Sequence, residues 1–148
     1  MSRFVRAAAV LLVVASCAGD RSARADGGGS SAEPWKGGAE IRSNDGAWKV
    51  VYRVDEPGIR RGENVRLDAW VFGAGDDGRP RTDVSLAVDA AMPQHGHGMN
   101  RVPVIEKLSD GKFRVDGLLF PMPGKWELYF DVARGPLVER AQADVVVE

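Results

Sequence analysis

The chain predicts an all-β fold, an immunoglobulin-like two-sheet β-sandwich of about seven strands, and three observations carry that reading. Beyond residue 39, apolar and polar residues alternate with a period of two in one short segment after another. Turn-forming clusters separate those segments at the spacing of an all-β domain. No window of useful length shows a helical period. A sandwich buries one face of each strand against the opposite sheet, so its strands read apolar on one parity and polar on the other.

The first element stands outside that fold. Arg3 and Arg6 precede the unbroken apolar run Ala7–Ala15. Such a run is far short of the roughly 20 residues that cross a bilayer as a helix, and it has the length of a signal-peptide hydrophobic region. It ends in Val14-Ala15-Ser16-Cys17, which resembles the bacterial lipobox, where the cysteine thiol receives diacylglycerol and becomes the first mature residue. The alternative is a soluble secreted protein with a free thiol. Residues 1–16 are therefore expected to be a lipoprotein signal peptide and Cys17 the lipidated residue. Ala18 follows the cysteine in place of the Asp that resembles an inner-membrane retention signal. That favours a cell-envelope protein anchored in the outer membrane and facing the periplasm.

Residues 17–38 contain Gly27-Gly28-Gly29-Ser30-Ser31 and Gly37-Gly38, with almost nothing hydrophobic except Trp35. Too little apolar surface is present to offset the entropy of ordering, so a flexible tether is expected, with Trp35 at most docking on the domain edge. The folded domain is expected over residues 39–148.

Within it, Trp48, Val50, Tyr52 and Val54 alternate with Lys49 and Arg53. The same parity is kept by Val65, Leu67, Ala69 and Val71, then by Val84, Leu86, Val88 and Ala90. Two weaker strands are expected over Val102 to Leu108 and Lys112 to Val115, joined by Ser109-Asp110-Gly111. Trp126, Leu128, Phe130 and Val132 mark the next strand, and Ala141 to Val147 the last. Asp55-Glu56-Pro57-Gly58, Gly75-Asp76-Asp77-Gly78-Arg79-Pro80 and Arg134-Gly135-Pro136 supply turn chemistry between them. Trp48 and Trp126 fall on the core parity.

Charge and cysteine content narrow the function classes. Twenty basic and 21 acidic residues give a net charge of −1, which lacks the concentrated basic surface that nucleic-acid binding requires. One cysteine forms no internal disulfide and excludes Cys-rich zinc sites and Fe–S clusters.

One segment departs from ordinary sandwich composition. Ala91-Met92-Pro93-Gln94-His95-Gly96-His97-Gly98-Met99-Asn100 contains both histidines of the chain and two of the three methionines beyond the initiator. The third, Met122, lies in Phe120-Pro121-Met122-Pro123-Gly124. Imidazole suits copper in both oxidation states, and thioether sulfur selects copper, Cu(I) above all. In an extended backbone His95, His97 and Met99 would share one side, since side chains at i, i+2 and i+4 do so. Gly96 and Gly98 would leave the other side bare. Pro93 and Pro123 stiffen the segments carrying Met92 and Met122. The alternatives are a structural end-cap, with Met as gap-filler and histidines bonded to backbone, or a contact surface for a protein or other ligand.

The run from Asp89 to Met99, followed by Gly111-Lys112-Phe113 and then by Phe120-Pro121-Met122-Pro123-Gly124-Lys125-Trp126, resembles the YtkA-like/FixH-like domain family over roughly residues 45 to 147. The resemblance implies a small immunoglobulin-like sandwich, exported or membrane-tethered. Some relatives are linked to assembly of copper-containing terminal oxidases, and the fold is similar to periplasmic copper-carrier sandwiches. The FixH relatives carry a transmembrane helix where this chain has its lipobox-like segment.

Enzyme readings fail on the residues available. A blue-copper centre needs a cysteine thiolate, and the only cysteine is Cys17. A histidine-brace monooxygenase needs an N-terminal histidine. No Gly-x-Ser-x-Gly elbow is present. A zinc hydrolase wants three protein ligands with an open position, and Asp89, the one candidate to join the two histidines, has a parity pointing away from the core. A non-catalytic role is expected. Two readings remain. One is a domain that binds copper, or transfers it to or from another envelope protein, through His95, His97, Met99 and Met122, with Met92 as a second-tier ligand or buttress. The other is a metal-free protein-interaction module.

Overall fold

The computed structural model describes residues 33–75, 78–108 and 111–148. The expected signal peptide, Cys17 and most of the tether lie outside the described residues, as do Asp76, Asp77, Ser109 and Asp110 of the expected turns. Residues 33–148 belong to a single compact unit.

The fold is all-β, as the alternation predicts. Among the described residues nine strands run in chain order: β1 Ala39–Arg42, β2 Trp48–Val54, β3 Asn64–Gly73, β4 Ser85–Met92, β5 His97–Gly98, β6 Val104–Lys107, β7 Lys112–Leu119, β8 Gly124–Arg134 and β9 Leu137–Val147. They form a five-stranded sheet, β1-β2-β3-β7-β6, and a four-stranded sheet, β5-β4-β8-β9. All strand pairs are antiparallel. The seven expected strands are all present. The two additional ones, β1 and β5, are short edge strands, and neither carries the run of alternating apolar residues that marks the others. No helix among the described residues is long and apolar enough to cross a membrane.

The inner faces meet in a core of Val50, Leu67, Val71, Phe113 and Val115 from one sheet and Val88, Trp126, Leu128, Phe130 and Val132 from the other. Trp48 and Trp126 are both buried in it. Burial of such side chains, at about 1.5–3 kcal/mol each, is what selects this register over a one-residue slip.

The five-stranded sheet also carries a small apolar cluster on its outer face. Val51, Trp70 and Phe72, on the opposite parity to the core, are buried under Trp35. Trp35 meets Phe72 edge-on at 5.6 Å, and the Arg53 guanidinium donates to the Lys36 carbonyl at 2.5 Å. Residues 33–38, expected as the end of the tether, are therefore folded onto the sheet. Trp70 and Phe72 are the apolar surface that a count restricted to the tether itself misses.

The two flanks of the sandwich differ. On one, the turn between β1 and β2 is latched to β9. The Ser43 hydroxyl donates to the buried Glu139 carboxylate at 2.6 Å, and the Ala47 amide donates to the same oxygen at 3.0 Å. On the other flank, β5 and β6 are the edge strands of their sheets. The segment between them, residues 99–103, passes from one sheet to the other. The unusual His/Met segment sits at this second flank.

Candidate metal site

The site begins where β4 ends. Met92 and His97 are direct cross-strand partners, as are Ala91 and Gly98, so β4 and β5 form a hairpin. Between them Pro93–His95 make one 3₁₀ turn, closed by Gly96 in the left-handed region at φ 65° and ψ 23°. Proline suits the first position of such a turn because its missing N–H has no partner to lose. Glycine adopts the left-handed conformation without the Cβ penalty. The Gly96 amide then donates to the Pro93 carbonyl at 3.1 Å.

This local structure corrects one expectation. His95, His97 and Met99 do not lie along a single extended stretch, because the turn and Gly96 break it after His95. His97 and Met99 keep the predicted i, i+2 relation: the Met99 amide donates to the Ala90 carbonyl at 3.1 Å, prolonging the ladder beyond β5. Both histidines are exposed.

Met92 is 1% exposed and belongs to the core. A Cβ placed on Gly124 would lie 2.7 Å from the Met92 Cε, so the start of β8 is packed against that methyl group. This placement suits Met92 as a buttress.

Met99 and Met122 are partly buried against the core. The Leu119 amide donates to the Met99 sulfur at 3.4 Å. Met122 lies three residues beyond, in the connection from β7 to β8 that bridges the sheets. Its carbonyl accepts from the Trp126 indole Nε1 at 2.9 Å, and Trp126 packs edge-on against Phe120 at 5.4 Å. The β4–β5 hairpin and the Met122 connection lie at the same end of the sandwich, since Ala91 pairs with Glu127. The Gln94 side-chain amide donates across to the Lys125 carbonyl at 2.6 Å.

The surrounding charges are committed elsewhere. Lys125 pairs with Asp144 at 2.7 Å, and that hydrogen bond raises the lysine above its ordinary value. Asp89 is exposed on the outer face and accepts the Ala90 amide at 2.8 Å, in keeping with its parity. Among the described residues no three His, Cys, Asp or Glu side chains come together as a metal-binding group. The soft donors placed at this end are the two imidazoles and the Met99 and Met122 thioethers.

Sequence reasoning missed Gln94 and the positioning role of Trp126. Gln94 gives no signal in the chain alone, because its partner is a backbone carbonyl 31 residues away. Trp126 follows Met122 by four residues, a spacing at which an indole N–H can close the loop onto a carbonyl. Cys17 lies outside the described residues. Comparisons with protein-family models, with curated proteins and with solved structures return no match to this chain.

Proposed function

We propose that this chain is a non-catalytic, lipid-anchored domain of the cell envelope that binds copper or passes it to or from another envelope protein. In this reading Cys17 carries the anchor, in the outer membrane facing the periplasm, and the domain is of the YtkA-like/FixH-like kind. The observation that carries the proposal is the placement, at one end of the sandwich, of the segments that hold the two histidines, Met99 and Met122. Donors of this mixture suit copper better than zinc or magnesium. The test is calorimetric titration of residues 33–148, which hold their own two-sheet core, with Cu(I) and with Cu(II) against a competing chelator. Binding of neither ion would overturn the reading.

A specific observation favours the second reading, a metal-free interaction module. Val102 is 89% and Val104 71% exposed, on and beside the β6 edge and next to Arg101 and Asp116. Exposed apolar groups along a sheet edge suit an added partner strand. A folded domain that ignores copper yet retains an envelope protein in a crosslinking experiment would support it.

A further inference from the structure

We infer that the site takes copper as Cu(I), with His97, Met99 and Met122 as the ligands, and that His95 is not one of them. This rests on the copper reading above and goes beyond it by assigning the oxidation state and the single imidazole.

The register makes the assignment. Directly paired residues of an antiparallel ladder place their side chains on the same face of the sheet. Met92 faces the core and His97 is its partner, so His97 lies on the core-facing side of its sheet, at the open end. Met99, two residues on, keeps that side and packs against the core. His95 stands before the left-handed Gly96, within the 3₁₀ turn, and nothing in the ladder ties it to that face.

The connection that carries Met122 lies at the same end of the sandwich. It is held at its two ends by two different methionines: Leu119 at its start donates to the Met99 sulfur, and Gly124 at its end lies against the Met92 methyl. Met122 is in the middle of that short span, with its backbone pinned by Trp126. A thioether sulfur has two lone pairs. The Leu119 N–H uses one on Met99, leaves the other for a metal, and fixes the side chain's direction.

One nitrogen and two thioethers make a soft, neutral donor set. Thioethers select Cu(I), whereas Cu(II) prefers a tetragonal arrangement of nitrogen and oxygen donors. No group of three His, Cys, Asp or Glu side chains occurs among the described residues to supply the latter. Three donors suffice for Cu(I), and the same set suits Ag(I), which is redox-inert and serves as its probe.

The experiment titrates residues 33–148 with Ag(I), and with Cu(I) against a competing chelator without oxygen. The wild-type domain is compared with His95→Ala, His97→Ala, Met99→Leu and Met122→Leu. Leucine keeps the packing volume, and circular dichroism checks that each variant folds. One equivalent should bind, with affinity falling at least tenfold in the His97, Met99 and Met122 variants and staying within about twofold in His95→Ala. Methyl resonances of Met99 and Met122, but not of Met92, should shift on loading. If copper binds but His95→Ala costs as much as His97→Ala, or if Cu(II) binds more tightly than Cu(I), the assignment is wrong and the copper reading stands. If the wild-type domain binds none of these ions, both fall together.

Discussion

Replacing Trp126 tests the fold and the site at once. The side chain is fully buried, stacks edge-on against Phe120 at 5.4 Å, and donates its indole N–H to the Met122 carbonyl at 2.9 Å. Truncation of a buried Trp to Ala costs about 3–5 kcal/mol from lost transfer energy and the cavity left behind. The lost edge contact, about 0.5–1.5 kcal/mol in pairs of this kind, and an orphaned carbonyl place Trp126→Ala at the upper end of that range. Against a domain stability of about 5–15 kcal/mol, this is a large loss. Trp126→Phe separates the contributions: it keeps most of the packing and removes only the hydrogen bond, for about 1–2 kcal/mol including the smaller ring. Urea denaturation followed by near-ultraviolet circular dichroism measures both. The Phe variant should also bind metal more weakly while remaining folded, because the Met122 loop loses its pin. An unchanged midpoint for Trp126→Ala would refute the core assignment. Unchanged metal affinity in a folded Trp126→Phe would refute the positioning role.

Gly124→Ala should destabilise by about 1–3 kcal/mol, since its φ of +120° is strained for any side chain and the new Cβ would meet the Met92 methyl at 2.7 Å; thermal melts check this. Glu139→Ala leaves the Ala47 amide without its acceptor while Ser43 retains the Trp48 carbonyl, for about 1–3 kcal/mol, whereas Glu139→Gln, which keeps an acceptor oxygen, should lose less. The Tyr129 hydroxyl donates to Glu127 at 2.6 Å, and that bond pushes its pKa up to about 12. Its contribution to stability is full below the ordinary tyrosine value of about 10 and is lost as pH rises through the folded value. Burial pushes the other tyrosine, Tyr52, up as well, so absorbance at alkaline pH should show both tyrosines ionising late and Tyr129→Phe should remove one of the two late steps. Cys17→Ser should release the protein from membranes into the soluble fraction, and persistence in the membrane fraction would overturn the lipid anchor.

The sandwich was legible because burial on one face imposes a period of two, and the long strands β2, β3, β4 and β8 obey it over most of their length. The two short edge strands were not legible, because edges bury little and leave no pattern. Trp70 and Phe72 mark another limit. They sit on the outward parity of β3, and their burial depends on Trp35, a residue the composition around it assigns to a tether. At the site, the residue types were visible but their arrangement was not. A four-residue connection between Met92 and His97 can be strand or turn, and Pro93 together with Gly96 decides for the turn. The Met99 contact with Leu119 and the Gln94 contact with Lys125 join segments 20 and 31 residues apart, which no local pattern encodes.

The elements that set the donors' positions are themselves core elements. Met92 fills the end of the core and, through the register, fixes the face on which His97 lies; Trp126 fills the core from the other side and holds the Met122 carbonyl. If the proposed site holds copper, stability and metal geometry are coupled through two residues that are not among its ligands. A truncation at either one lowers both, and loss of binding in such a variant says nothing about ligation. A volume-conserving replacement at Met122 avoids this confusion, because it removes sulfur while the hydrophobic contact remains; Met99→Leu also takes the acceptor from the Leu119 amide, so its fold must be checked beside its affinity. His95 is diagnostic for the same physical reason. It is exposed, outside the core and beyond the ladder, so removing it perturbs neither packing nor register, and any effect it has on metal affinity must come from the imidazole itself.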